Sequence, residues 1–312
     1  MSYSNSTNSS NSTNPMNPTN PGNPTNPNNP INPLRTHLIF LPIILLLFVL
    51  SYHSTLSWMY HRYMAPDSYY SHGFIIPFVS GFLIWQKRNQ LTNERPKFSW
   101  WGLFFIFFAV IIHIIGTTLY VFSLSGFSIF FLIMGISFFF LGNNSTRIVL
   151  FSLFFLLFMF PLPTAFLTAI LFPMKMMVAK ASVAIVNSLG IPAYREGFYI
   201  TIPAGTMLVG NPCSGLRSLI SFLALGSIFA HISSISNIKK WILFSLAIPI
   251  ALLSNMVRVP ILLLISQYWG LSAASPDSFW HDASGIFVFV IGLFLLFYAG
   301  RVLRWKSSET DM

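Results

Sequence analysis

The sequence contains few charged residues and a single cysteine, and both shortages limit what the protein can be. Asp, Glu, Lys and Arg together form 8% of the 312 residues, whereas a soluble domain carries about 25%. A soluble globular domain is therefore excluded. Cys213 has no second cysteine in the chain to pair with, so the fold cannot be an internal disulfide scaffold.

Acidic residues and cofactor motifs are also scarce. The chain has seven acidic residues, and none lies inside a long apolar run, which argues against a transporter driven by intramembrane carboxylates. The sequence has no HExxH helix, no CxxC pair, no P-loop and no GxGxxG after a strand. We therefore expect no metal site and no cofactor.

Apolar residues dominate the chain instead. Hydrophobic residues make up 54% of it and include 33 phenylalanines, and several runs approach or exceed the roughly 18–20 residues that cross a bilayer as a helix. The sequence therefore predicts an all-α fold, a polytopic transmembrane helix bundle of about eight spans with a small extracytoplasmic hairpin region. The predicted spans are 38–56, 73–86, 101–122, 126–142, 147–160, 213–232, 241–266 and 284–303.

Two segments between the fifth and sixth predicted spans do not fit the pattern of simple transmembrane helices. The run 164–189 is apolar but carries Lys175 and Lys180, so it is ambiguous between a full span and a helix lying in the interface. The following run 190–212 contains a stretch of strand character, Phe198–Ile202, and then the turn signal Pro-Ala-Gly. We expect a short hairpin on the outer face there.

The chain divides into three regions by composition. Residues 1–35 are almost wholly Asn, Ser, Thr and Pro, and such a segment buries too little apolar surface to fold, so a disordered tail is predicted. A role as a spacer or a partner-binding arm is the alternative. Residues 36–306 form the transmembrane domain, and 307–312 form a cytoplasmic tail.

The distribution of basic residues predicts the orientation in the membrane. The net charge is +10, and with eight spans most basic residues fall on one face, which is the cytoplasm by the positive-inside rule. Both termini are then cytoplasmic. The partner implied by this charge is the lipid bilayer and not nucleic acid, because the basic residues form no stripe with interleaved aromatics.

Cys213 is the first candidate site residue. It opens the predicted sixth span after Pro212, and a thiol at a helix N-terminus is favoured as thiolate. Arg217 follows at i+4 on the same helix face, where its charge would lower the thiol pKa further. Gly215 leaves room for a substrate backbone beside the thiol. By default a lone cysteine is an apolar filler, and these neighbours indicate a reactive thiol instead.

Two more candidates lie towards the outer face in this topology. Arg258 is placed about two turns inside the predicted seventh span, about 12 Å below the surface, where a buried charge indicates function; snorkelling to the interface is the alternative. Asn255, three residues earlier, is able to hydrogen-bond across helices. His281 is placed in the outer loop next to Asp282, and a Cys–His pair activates a thiol.

These residues and their surroundings resemble a known family. The segments PCSGLRSL, NMVRVPILLL and HDASG, in this order, resemble the exosortase/archaeosortase family. Further similar segments are SHGFIIPFVSGFLIW at 71–85, FMFPLP at 158–163 and LGIPAYREGFYITIP at 189–203. The resemblance covers roughly residues 38–305 and places the family's catalytic Cys, Arg and His on Cys213, Arg258 and His281.

The resemblance implies a membrane cysteine protease with transpeptidase activity. Its expected partners are secreted proteins with a C-terminal sorting signal, consisting of a short Pro-Glu-Pro-like motif, one transmembrane helix and a basic tail. It implies a prokaryotic cytoplasmic (inner) membrane with the active site on the outer face. The Asn/Pro-rich tail and Asn211-Pro212 depart from the family pattern and leave the subfamily open. The accepting nucleophile, water or an amine, and the oligomeric state also stay open.

Two other functional classes stay open from the sequence. A transporter or channel would use Arg217 and Arg258 as an arginine-lined anion site, and replacement of Cys213 by Ser would then be nearly harmless. A membrane enzyme acting on lipid or polysaccharide is the other alternative, and it would leave no uncut protein precursors when the gene is deleted.

Overall fold

The structure is a computed structural model that describes residues 33–65, 68–92, 94, 97–210 and 213–308. The chain divides into two compact units, 1–53 and 54–312. In the first unit the described residues form the beginning of helix α1, whose apolar side chains from Ile43 to Leu47 are about half exposed. The predicted tail, 1–35, lies outside the described residues except for Pro33–Arg35, which already belong to α1.

The second unit contains the remaining helices and one small sheet, so the predicted all-α transmembrane architecture with a hairpin region is confirmed. Short 3₁₀ turns occur at Ser71–Phe74, Leu156–Met159 and Leu271–Ala274. The helices and strands in chain order are α1 Pro33–Met64, α2 Ile76–Gln86, α3 Arg88–Thr92, α4 Trp100–Thr118, α5 Phe122–Phe155, α6 Thr164–Ser188, β1 Tyr194–Glu196, β2 Tyr199–Ile202, β3 Gly205–Leu208, α7 Leu216–Ile232, α8 Asn237–Trp269 and α9 Phe279–Ser308.

Helix α5 reverses direction at Gly142 and therefore supplies two legs. Gly142 has φ 78° inside the helix, and a Cβ at this position would lie 2.2 Å from the Lys97 carbonyl oxygen. The ring centroids of Phe127 and Phe160 are 5.7 Å apart, although 33 residues of straight helix would separate them by about 50 Å. The two predicted spans 126–142 and 147–160 are thus the two antiparallel legs of this element.

Helix α4 packs tightly against the first leg of α5. A Cβ at Gly102 would lie 2.5 Å from the backbone nitrogen of Phe139, and one at Gly135 would lie 2.8 Å from the backbone nitrogen of Ile106. Small residues that let helix backbones approach are typical of contacts between transmembrane helices. This pair is therefore held by close backbone packing.

Six of the described helices are long and apolar enough to cross a membrane. They are α1, α4, α5 with its following turn, α6, α8 and α9, while α7, with 17 residues, is shorter. Because α5 has two legs, the count stays close to the predicted eight. The segment 73–86 differs from its prediction, since α2 has 11 residues, about 16 Å of helix, against a hydrocarbon core of about 30 Å.

Helix α6 is long enough to cross, and it contributes to the surroundings of Cys213 through its middle and its last turns. Before its start, the backbone nitrogen of Leu162 donates to the Tyr70 hydroxyl (3.1 Å), and nearby Arg217 of α7 donates to the Ser68 carbonyl (2.6 Å). Near its other end, Val186 belongs to the buried cluster that contains Cys213. The loop before α6 therefore lies near the start of α7, and the later part of α6 packs in the cluster that contains Cys213.

The segment 190–212 folds into a three-stranded antiparallel sheet in the order β1-β2-β3. The predicted hairpin is β2 and β3, with Ile202 paired to Gly205, and β1 adds a strand that the sequence did not reveal. Ile200 and Ile202 are buried against α6 and α8 in one apolar cluster with Val209 and Cys213. The sheet thereby anchors the segment that leads to the cysteine.

Candidate functional site

Cys213 lies in the turn between β3 and α7, not in the helix. α7 begins at Leu216, and Gly215 is its N-cap residue with φ 79°, in the left-handed region. The prediction that Cys213 opens this helix is therefore wrong, because a left-handed residue separates the thiol from the first turn. Pro212 lies outside the described residues.

Asn255 of α8 fixes this turn from the side. Its amide nitrogen donates to the Cys213 carbonyl oxygen at 2.7 Å. A Cβ on Gly215 would lie 2.8 Å from the Asn255 side-chain carbon Cγ, so glycine is required here both for the backbone conformation and for the close approach of the amide. Gly215 therefore makes room for Asn255, and the cysteine backbone is held by α8.

The Cys213 thiol is buried, with 6% of the residue exposed. Burial raises the pKa of the Cys213 thiol above its ordinary value, while the positive charges of Arg258 and Lys175 act in the opposite direction. The net shift is upward, because burial is the largest contribution. The expectation that the helix terminus and Arg217 lower the thiol pKa is therefore wrong. Cys213 is a neutral thiol near pH 7.

Arg217 makes a different contact from the one with the thiol that the sequence predicted for it. Its Nε donates to the Ser68 carbonyl oxygen at 2.6 Å, in the segment that follows α1. The i+4 argument fails because Cys213 is not part of the helix. Arg217 instead ties the start of α7 to the loop before α2.

Arg258 and His281 contact each other across α8 and α9. Arg258 Nη2 donates to the His281 carbonyl oxygen at 3.1 Å. The guanidinium also lies against bare backbone of α9, because a Cβ on Gly285 would be 2.9 Å from Nη2. α8 continues to Trp269, so Arg258 lies about three turns, or about 16 Å, before its end, deeper than the predicted two turns.

His281 is buried in the first turn of α9, with 3% exposed, so its predicted position in an outer loop is wrong. Its Nδ1 lies 3.4 Å from the Ala274 carbonyl oxygen. Since a carbonyl only accepts, Nδ1 carries the proton in this contact, and the neutral ring then has a free lone pair on Nε2. Within the described ranges, Nε2 is buried and has no hydrogen-bond partner.

The structure brings the predicted residues to one region, where α8 contacts both the cysteine turn and the start of α9. Asn255 contacts Cys213, Arg258 contacts His281, and the charge of Arg258 acts on both Cys213 and His281. No hydrogen bond joins Cys213 to His281 among the residues that the structure describes. The site therefore consists of a thiol, a guanidinium and an imidazole with one unbonded nitrogen.

Lys175 is a candidate site residue that the sequence did not reveal, because it was interpreted only as a charge in an ambiguous apolar run. Its Nζ lies 5.6 Å above the centre of the Phe198 ring, and its charge acts on Cys213. Lys175 also lines a cavity of about 300 Å³ together with Arg62, Ser68 and Tyr70. The signal was the lysine itself, because a charge within an apolar helix is costly.

The same cavity bears on the transporter interpretation. Neither Arg217 nor Arg258, on which an anion pathway was based, lines it.

Burial raises the pKa of Tyr70 to about 12, so its hydroxyl, which accepts from the Leu162 backbone nitrogen (3.1 Å), stays neutral. In the described part of the chain, no group of three His, Cys, Asp or Glu side chains is placed to hold a metal ion.

Comparison with known proteins gives one match. The model of the transmembrane exosortase family (Exosortase_EpsH) matches residues 58–298, a range that includes the cysteine turn, α8 and the first turns of α9. No curated protein and no solved structure matches the chain.

Proposed function

The chain belongs to the transmembrane exosortase family, and we propose that it is a membrane-embedded cysteine protease and transpeptidase that cleaves C-terminal sorting signals of secreted proteins. The observation that carries this proposal is that Arg258 interacts with both a buried cysteine and a buried histidine. Its charge acts on Cys213, and its Nη2 donates to the His281 carbonyl oxygen at 3.1 Å.

In the first step Cys213 needs a base, because its thiol is neutral. His281 supplies one, since its Nδ1–H faces the Ala274 carbonyl and its Nε2 lone pair is unbonded. His281 takes the thiol proton, and the sulfur attacks the carbonyl carbon of the scissile peptide bond. Substrate binding has to bring the two groups together, because the free site has no hydrogen bond between them.

Attack on the carbonyl places a negative charge on its oxygen. The charge of Arg258 acts on both reacting side chains, and its guanidinium lies against the Gly285 backbone, so it stabilises the developing oxyanion. The carbon–nitrogen bond then breaks, His281 returns its proton to the leaving amine, and the acyl group stays on Cys213 as a thioester. Water or an amine releases the product and regenerates the thiol.

The substrate is expected to enter from the side of the bilayer. The cavity lined by Arg62, Lys175 and Tyr70 is apolar along α6, where Leu171 and Phe172 contribute to its wall, and Lys175 connects it electrostatically to Cys213. We propose that an extended peptide bound there reaches the thiol past Lys175. Arg217, which holds Ser68 at the edge of this cavity, has a supporting role in binding.

The proposed location is the cytoplasmic (inner) membrane of a prokaryote, with the active site on the outer face and both termini in the cytoplasm. The support is the charge distribution. The charges of Lys87 and Lys240 act on His231 in the last turn of α7, so these basic residues lie towards the end of α7 opposite Cys213, and basic loops stay in the cytoplasm.

The direct test is a comparison of C-terminal peptides in the source cells with the gene deleted. Deletion should cause secreted proteins with a C-terminal apolar helix and basic tail to accumulate uncut, as measured by mass spectrometry of their C-termini. The wild-type gene should restore cleavage, and Cys213→Ser should not. Full cleavage in cells that produce only the Cys213→Ser protein would refute the protease mechanism and favour the anion-transport alternative.

A further inference from the structure

A second cavity lies at the end of the second unit opposite Cys213. It has a volume of about 400 Å³ and is formed where α7, α8 and α9 meet, with Phe229 and Ile232 from the last turns of α7 and with Phe297, Gly300, Arg301 and Arg304 from α9. α7 runs from the cysteine turn to this cavity, so the two sites are separated by the length of a 17-residue helix, about 25 Å.

The cavity has one positively charged edge. Arg301 and Arg304 are spaced by three residues and therefore share a face of α9. Both side chains are exposed, and among the described residues that line the cavity none is acidic. The cation pair is thus open to an anion from outside the chain.

The remaining wall is apolar and open to the surroundings. Ile232 is 60% exposed and Phe297 is 58% exposed, although both line the cavity. At Gly300 the nearest atoms to an added Cβ are Leu243 methyl carbons at 3.5 and 3.8 Å, so the glycine leaves space between α8 and α9. A ligand that fits must combine a negative group with a hydrocarbon part.

We propose that this cavity binds an anionic phospholipid, with the phosphate between Arg301 and Arg304 and an acyl chain along Ile232 and Phe297. Basic pockets between transmembrane helices on the cytoplasmic side suit lipid headgroups, and two arginines are better matched to phosphate oxygens than to any uncharged lipid group. The site stands apart from the cysteine, so it does not depend on the proposed peptidase activity.

The test is thermal unfolding of the purified protein in detergent micelles with added lipid. Dioleoylphosphatidylglycerol should raise the midpoint temperature in a saturable way, because a ligand that binds only the folded state stabilises it. Dioleoylphosphatidylcholine, which has the same chains but no net charge, and inorganic phosphate, which has no chains, should each give less than about a fifth of that rise. An equal rise with either control would overturn the proposal.

Two variants locate the site. Arg301→Gln/Arg304→Gln should raise the half-saturating concentration of phosphatidylglycerol about 25-fold, about fivefold for each lost basic residue. Gly300→Leu keeps both charges, favours the helix and fills the cavity, and should raise it at least about tenfold. The Gly300 variant also covers the case in which the arginine variant does not fold.

The matched control is Arg88→Gln/Arg147→Gln, which removes the same charge from exposed residues outside the cavity. Its half-saturating concentration should stay within about twofold of the wild type. If this control loses binding as strongly as Arg301→Gln/Arg304→Gln, the effect is that of general charge and the cavity is not a lipid site.

Discussion

The α4–α5 pair and the α7–α9 group differ in the contacts that pack their helices together. In α4 and α5, glycines allow backbones to touch, and large side chains such as Phe107, 68% exposed, face outwards. In α7–α9, the contacts between elements include buried polar groups, among them Asn255 and His281, each 3% exposed. Close backbone contacts at glycines distinguish the first region, whereas the second contains the Arg258 guanidinium next to the backbone of the buried His281.

This difference separates structural from functional residues. A buried guanidinium or imidazole adds a desolvation cost that apolar packing does not have, so a fold that needs only stability has no reason to keep it. The α4–α5 pair also has polar contacts, in which the His113 ring hydrogen-bonds the Ser125 hydroxyl (2.8 Å) and Ser128 donates to the Ser125 carbonyl (2.6 Å), but these contacts involve no guanidinium. Variants in the two regions should therefore affect different measurements.

The largest effect is expected for Cys213→Ala. Loss of the sulfur removes the covalent step, so cleavage of a sorting-signal substrate in membranes should fall by at least about 10³-fold. Thermal stability should change little, because the substitution leaves the Asn255 hydrogen bond to the backbone carbonyl in place. Ser128→Ala in the other region is the control and should retain cleavage per folded molecule.

The second effect concerns the central charge. Arg258→Gln should reduce the cleavage rate by about 10²–10³-fold, because an oxyanion donor is lost. Arg258→Lys keeps the charge but not the fork of donors, so it should recover only part of the rate. A rate within threefold of wild type for Arg258→Gln, about the resolution of such an assay, would remove Arg258 from the mechanism.

The third prediction tests the structural region. Gly102→Leu should lower the free energy of unfolding by about 1–3 kcal/mol, since its side chain would overlap Phe139 backbone 2.5 Å from the Cβ position. Cleavage per folded molecule should be unchanged. Gly81→Leu, where no atom lies within 4 Å of an added Cβ, is the matched control and should be neutral in stability.

The smallest effect concerns pH. Because burial raises the pKa of the Cys213 thiol, its alkylation by iodoacetamide should rise about tenfold per pH unit and continue to rise above the ordinary cysteine pKa of about 8.5. The sign follows from the thiolate being the nucleophile. In Arg258→Gln, where a favourable cation is absent, alkylation at pH 8 should be slower than in the wild type. A rate that levels off near pH 7 would mean a lowered pKa.

The sequence was sufficient for the architecture where composition and periodicity are strong. Long apolar runs predicted the helices, and the Pro-Ala-Gly turn predicted the β2–β3 hairpin. Boundaries were less predictable, because the αL residue Gly215 and the early start of α9 at Phe279 depend on packing against α8 and not on local sequence. The reversal of α5 at Gly142 was predicted, by contrast, because 126–142 and 147–160 were separate predicted spans.

The candidate site was predictable in its residues but not in its electrostatics. The resemblance placed Cys213, Arg258 and His281 in one group, and α8 contacts both the cysteine turn and the start of α9. The expected lowering of the thiol pKa by the helix terminus was not found, because Cys213 lies before the helix and burial outweighs the nearby charges. The contact of Arg217 with the Ser68 carbonyl, 149 residues away in sequence, was not predictable from local spacing.

The most direct test of the central claim is the mass of the peptide that contains Cys213 after the purified protein has been incubated in membranes with a sorting-signal substrate found in the deletion strain. We predict an added mass equal to the substrate's acyl portion, which hydroxylamine removes and which is absent in Cys213→Ala. Continued cleavage of the substrate by the Cys213→Ala protein, with no acyl adduct on the wild type, would contradict the account.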